Sequence, residues 1–259
     1  DRSPSRGLGD VYKRQGNRGQ TLIQMFDWLI KNNNATIVAI SDLRKEKTDK
    51  LNAHLKKTHN ITADAYFGNP DEWKKVADRD DIDLLIIATP WEMHTPMALY
   101  GMEKGKHVAS EVPIGYTLED CWKLVETAER TQKHCMMMEN CCFNNEELWV
   151  LNMINQGVFG DLTHAEGAYI HDLRKHLMDD TYYENQWRIK HHLKKDGNFY
   201  TTHGLGPISQ YMDIGRGDTF DHVVSMSSRE KSLSDAAKRA NLPQFQNVKC
   251  VVQLKEENC

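Results

Sequence analysis

The sequence predicts an α/β fold: a doubly wound parallel sheet covered by helices, followed by an α+β unit with a mainly antiparallel open sheet. Three observations predict it. Ile82-Asp83-Leu84-Leu85-Ile86-Ile87-Ala88 is a run of branched apolar residues suited to a strand buried on both faces. A polar loop, a helix and another apolar strand follow it, and this strand–loop–helix–strand order joins parallel neighbours. From residue 143 onward the runs give way to alternating and polar stretches, as in a half-exposed antiparallel sheet.

In chain order, residues 1–15 (DRSPSRGLGDVYKRQ) contain no strand-like run. They read as foreign to the fold, standing where a first strand belongs. Gly16-Asn17-Arg18-Gly19-Gln20 then reads as the back half of a glycine-rich turn entering a helix over 21–31. A complete GxGxxG turn needs glycine at position 14, where the chain has Arg14. The apolar strand 35–42 ends in Asp42, 23 residues after Gly19. That is near the ~20-residue spacing that sets a carboxylate on the ribose hydroxyls of a dinucleotide, and an acid there favours NAD over NADP. Residues 44–58 form a polar helix expected to be solvated, and Asn69-Pro70-Asp71 opens a short helix with Trp73 and Val76.

The central unit follows. After the strand comes Thr89-Pro90-Trp91-Glu92-Met93-His94, then a helix with Thr95 as N-cap and Pro96 in its first turn, then a strand over 106–111. Ligands bind at that carboxyl edge in open α/β sheets. Thr117-Leu118-Glu119-Asp120 is a capping box for a helix reaching Gln132. Cys135 to Asn140 reads as the last strand, with Met136, Met137 and Met138 as core filling. This gives a nucleotide-binding domain over 16–142 and a second domain over 143–259. In the second, helices are expected at 146–155 and 202–213, and strands at 162–170, 221–226 and 248–254. Because the chain stops right after the last of these, the second domain is expected to be incomplete.

Composition excludes some function classes. Net charge is −4, which argues against a general nucleic-acid binder. No apolar run approaches the ~20 residues of a membrane-spanning helix, and no export signal is visible. As it stands the chain reads as cytoplasmic; a missing leader would make it periplasmic or exported. Six cysteines show no CxxC pair, and the histidines no HExxH spacing, so no metal site is expected.

These motifs in this order resemble the Gfo/Idh/MocA family, which implies an N-terminal Rossmann domain and a C-terminal α/β domain with an open antiparallel sheet. The Glu-Lys-Pro that usually closes the nucleotide domain is here Glu111-Val112-Pro113. Loss of that lysine argues against an ordinary sugar dehydrogenase. The chain is most similar to family 109 of the glycoside hydrolases. The resemblance rests on Gly16 to Gln20, Thr89 to His94, Glu111 to Pro113, Met138-Glu139-Asn140, and Gly197 to Pro207 (GNFYTTHGLGP). It departs from the family pattern at Met93, where tryptophan is common, and at Thr201, where proline is usual.

The resemblance implies an NAD-dependent α-N-acetylgalactosaminidase that works by oxidation, elimination, addition and reduction, with retention. It implies cofactor contacts at Asn17, Arg18, Asp42, Trp91, Glu92, Met93, His94, Glu111, Val112 and Asn140. Substrate contacts are implied at Tyr169, Arg188, Tyr200, Thr201, Thr202 and His203, with His203 and Tyr169 catalytic. A homo-oligomer acting on glycans with terminal N-acetylgalactosamine follows from the same likeness. Two other readings stay open on the residues alone: an NAD-dependent sugar oxidoreductase, and a non-catalytic sugar-binding protein.

Overall fold

The structure, a computed structural model, describes residues 7–11, 18–32, 34–180, 182–194, 198–228 and 231–246. The chain divides into two compact units, Asp1–Met138 and Glu139–Cys259.

The first unit holds strands β1 (Gly7–Val11), β2 (Ile37–Ser41), β3 (Asp64–Tyr66), β4 (Ile82–Ile87), β5 (His107–Ser110) and β6 (Cys135–Met137). They form one parallel sheet in the order β3-β2-β1-β4-β5-β6. Helices α1 (Arg18–Lys31), α2 (Lys45–His59), α3 (Glu72–Ala77), α4 (His94–Glu103) and α5 (Leu118–Thr131) connect them. The strand order reverses between β1 and β4, so a crevice opens there at the carboxyl edge.

Side chains on a strand alternate between faces, and β4 feeds two cores accordingly. Leu85 and Ile87 join Trp73, Val76, Met97, Met102 and Leu124. Ile86 joins Leu22, Ile23, Ile40, Leu51 and Leu55. Each such buried aliphatic side chain contributes about 1.5–3 kcal/mol of transfer free energy. The capping box of α5 forms as the sequence predicts: Asp120 N–H donates to Thr117 Oγ1, and Thr117 N–H donates to Asp120 Oδ2.

Four expectations change. The first strand is not missing: Gly7–Val11 forms β1, paired in parallel with both β2 and β4. Two buried neighbours leave a row of donors and acceptors on each side, and any extended segment between them completes both ladders without needing an apolar run. Thr95 does not cap α4; its hydroxyl donates to Ile114 O, and the helix starts at His94, two residues before Pro96. The polar helix α2 is not wholly solvated, since it buries Thr48, Leu51 and Leu55. The three methionines are not all core. Met136 on the edge strand β6 is exposed while Met138 packs inward.

The second unit contains α6 (Asn145–Asn155), α7 (Arg174–Met178), α8 (Ile189–His192), α9 (Thr201–Tyr211) and α10 (Ser232–Arg239). Leu177, Ile189, Ala237 and Phe245 form its small core. The expected strands at 162–170 and 221–226 carry no ladder pairing among the described residues. Alternation fixes which side chains share a face, but a strand exists only where a partner supplies the ladder. The strand expected at 248–254 lies outside the described residues.

Candidate functional site

In the first unit the predicted cofactor residues gather at the carboxyl edge of the sheet. Asp42 follows β2 directly and is buried, with Arg44 N–H donating to its Oδ1 at 2.9 Å. Glu111 and Val112 follow β5, both buried, and Glu111 N–H donates to Ile87 O at the end of β4. Thr89, just past β4, buries a hydroxyl that has no hydrogen-bond partner among the described residues. A carboxylate at the end of β2 and an orphaned hydroxyl at the end of β4, on either side of β1, fit a ligand rich in ribose hydroxyls. Gly16 and Asn17 lie outside the described residues, and Arg18 is described only as the first residue of α1.

The loop after β4 behaves differently from its sequence reading. Trp91 is fully buried, so its ring walls the loop, whereas Glu92 is exposed and Met93 half-buried. His94 is fully buried, with Nδ1 2.6 Å from Pro113 O and Nε2 2.7 Å from Thr89 O. Both ring nitrogens face backbone carbonyls, and the neutral ring donates to one of the two. The imidazole ties the β4 loop to the Glu111-Val112-Pro113 segment, so its place is that of a positioning residue. Burial lowers its pKa below the ordinary value, although both carbonyls favour the charged ring.

In the second unit the predicted substrate residues converge. The ring centroids of Tyr169 and His203 are 4.7 Å apart, those of Tyr200 and His203 5.0 Å, and those of Tyr169 and Tyr200 5.6 Å. The Arg188 guanidinium lies 4.6 Å from the Tyr200 ring centroid, and its Nη1 donates to Tyr183 Oη at 2.7 Å. Tyr169, Arg188 and Tyr200 line an open cavity of about 450 Å³ with His171, His192 and Asn198. Tyr169 Oη is 2.8 Å from His171 Nδ1. Burial raises the Tyr169 pKa above that of an ordinary phenol, even against the Arg188 charge, so it is a neutral hydroxyl near pH 7. Thr201 is exposed at the start of α9, and the Thr202 hydroxyl is buried. Asn140, expected at the cofactor, is exposed in the turn Asn140–Cys142.

Behind His203 stands a residue the sequence reading missed. Glu139 is only 3 % exposed, and its Oε1 lies 2.5 Å from His203 Nδ1. Burial would raise its pKa. The Thr202 and His203 side chains and the Cys141 N–H outweigh that and hold it below the usual carboxylate value. A carboxylate can only accept, so His203 donates through Nδ1, which in the neutral ring puts the lone pair on Nε2. The signal lay in Met138-Glu139-Asn140, but an acid after a strand does not announce its partner.

Glycines let these pieces meet. A Cβ on Gly167 would come within 2.8 Å of Gly204 O, so α9 and the segment bearing Tyr169 touch through backbone. A Cβ on Gly206 would lie 2.7 Å from Cys142 Sγ and 3.1 Å from Glu139 Cγ. The Gly204-Leu205-Gly206 spacing thus brings α9 against both the Tyr169 segment and the Glu139 turn.

Comparison with known proteins agrees. Residues 16–139 match the family described as "Oxidoreductase family, NAD-binding Rossmann fold", and residues 143–255 match "Glycosyl hydrolase 109, C-terminal domain". A "Glycosyl hydrolase family 109 protein 1" of Shewanella sp. strain ANA-3 is 48% identical over 224 residues, 86% of this chain and 48% of that protein. An "Alpha-N-acetylgalactosaminidase" of Shewanella oneidensis is 46% identical over the same shares of each chain. The chain spans about half the length of the curated relatives it matches. A solved NAD binding oxidoreductase from Klebsiella pneumoniae has the same fold, with a TM-score of 0.59 at 16% identity over 80% of this chain and 53% of that one. Residues 16–139 therefore form a nucleotide-binding domain of the Gfo/Idh/MocA oxidoreductase family, and residues 143–255 match the C-terminal domain of glycosyl hydrolase family 109.

Proposed function

We propose that the chain serves an NAD-dependent glycosidase that releases terminal α-linked N-acetylgalactosamine with retention of configuration. The observation that carries this reading is the Glu139–His203 pair set among Tyr169, Tyr200 and Arg188. Such a cluster suits proton transfer from a sugar. It differs from the two carboxylates that flank the bond in most glycosidases.

Asp42 would hold the adenosine ribose, and Thr89, Glu111 and Val112 the nicotinamide end. Bound nicotinamide supplies a reversible hydride acceptor, which turns a sugar carbinol into a ketone and acidifies the neighbouring C2–H. His203 accepts a proton from the sugar through Nε2, and the Glu139 carboxylate stabilises the imidazolium that results. Tyr169, a neutral phenol, donates a hydrogen bond to a sugar oxygen. Arg188 presents its guanidinium to the polar oxygens of the sugar, held over the Tyr200 ring. With the C2 proton gone, the group at C1 would leave with a proton, water would add to the same face as C2 regains its proton, and return of the hydride to the ketone would restore the sugar hydroxyl and the oxidised cofactor.

The test is an aryl α-N-acetylgalactosaminide mixed with protein and NAD. The reading expects continuous phenol release without net NADH. Stoichiometric NADH with free sugar and no phenol would replace it with an oxidoreductase.

A further inference from the structure

We propose that Glu139, Cys141 and His203 form a binding site for one thiophilic divalent cation of the zinc class. Among the described residues they are the group in which three potential ligand atoms, a carboxylate oxygen, a sulfur and an imidazole nitrogen, all lie within 4.8 Å of one another. Two come from one turn: Cys141 N–H donates to Glu139 Oε1 at 3.1 Å, which fixes thiol and carboxylate together. The third arrives on the first turn of α9, 62 residues further along, held close by Gly206.

A second observation points to a ligand. Glu139 is nine-tenths buried, and its Oε2, with the Thr202 hydroxyl beside it, makes no well-formed hydrogen bond among the described residues. A buried carboxylate oxygen so weakly satisfied is costly, and a cation there offsets that cost. The donor set decides the class. Calcium and magnesium want oxygen ligands, whereas one sulfur with one nitrogen and one oxygen suits zinc and its near relatives. Three protein ligands leave a fourth tetrahedral position open.

Binding replaces protons: the thiol gives up its own, and the cation takes the place of the proton shared by His203 and Glu139. Bonds of ~2.0–2.1 Å imply ligand atoms roughly 3.3 Å apart. Nδ1 and Oε1 must therefore spread from 2.5 Å, or Oε2 must serve instead. With the cation on Nδ1 the displaced ring proton moves to Nε2, which then has no lone pair to accept a proton from the sugar, so bound cation inhibits proton transfer. That consequence rests on the base role proposed above, whereas the binding itself does not.

The experiment is a titration of the chelator-treated protein with Co²⁺, read by absorption. One equivalent is expected to produce visible d–d bands of a four-coordinate ion and a near-ultraviolet sulfur-to-cobalt band, both removed by Zn²⁺. Cys141→Ser should abolish the sulfur band, Glu139→Gln should weaken binding by about tenfold or more, and Cys142→Ala should leave the spectrum unchanged. Absence of stoichiometric binding, or a sulfur band that survives Cys141→Ser, would overturn the site. Full cobalt binding without loss of turnover supports the site and counts against the base role of His203.

Discussion

His203 Nδ1 and Glu139 Oε1 stand 2.5 Å apart although 64 residues separate them in the chain. The carboxylate fixes the tautomer of the ring and aims its basic nitrogen away from itself. A residue that orients another without touching substrate acts through the geometry and charge of its partner.

Glu139→Gln keeps shape and hydrogen bonding but removes the charge. We expect kcat to fall by about 10- to 100-fold with KM nearly unchanged. Because the amide is isosteric, a parallel loss of thermal stability would mark the effect as structural instead. Steady-state kinetics and a melting curve decide between the two.

His203→Ala removes the proposed base. Turnover should fall by about 10²–10⁴-fold, the usual contribution of a positioned general base. NAD binding, followed by fluorescence titration, should stay within about twofold. Near-normal turnover would remove the imidazole from the mechanism.

Asp42→Ala tests the proposed cofactor contact, and it also removes the acceptor for Arg44 N–H. A lost charge-assisted hydrogen bond of about 1.5–3 kcal/mol weakens NAD by roughly 10- to 100-fold. Relief of repulsion toward a 2′-phosphate should narrow the preference over NADP. Binding titrations with both dinucleotides measure each effect.

Gly167→Ala sets a methyl against Gly204 O, at 2.8 Å, and against Ile208 Cδ1. Backbone cannot yield as a side chain can, so we expect about 1–3 kcal/mol of destabilisation. KM for the sugar should rise as Tyr169 moves from His203. A variant with wild-type melting temperature and KM would show that the close approach has slack.

His94 predicts a pH dependence of stability. Its folded pKa lies below the ordinary ~6.5 because burial outweighs two carbonyl contacts. The unfolded chain therefore binds a proton that the folded chain refuses. The contribution is complete above about pH 6.5 and is lost as pH falls toward the folded value. His94→Gln, less stable throughout, should show a shallower fall in melting temperature between about pH 7 and pH 5. Parallel curves would refute the assignment.

The sequence alone determined the parallel sheet and most of its helices. Branched runs such as Ile82 to Ala88 and a capping box such as Thr117 to Asp120 are local signals, and burial and backbone capping respond to local chemistry. It also singled out the residues, from Tyr169 to His203, whose side chains the fold gathers into one cluster. Tertiary structure decided the rest. Gly7–Val11 becomes a strand only because β2 and β4 leave ladder groups on both sides of it. His94 turns inward because two carbonyls wait there, and Glu139 meets His203 only because Gly206 lets a helix approach. Each of these depends on a partner distant in sequence, and spacing along a chain carries no record of a distance across a fold.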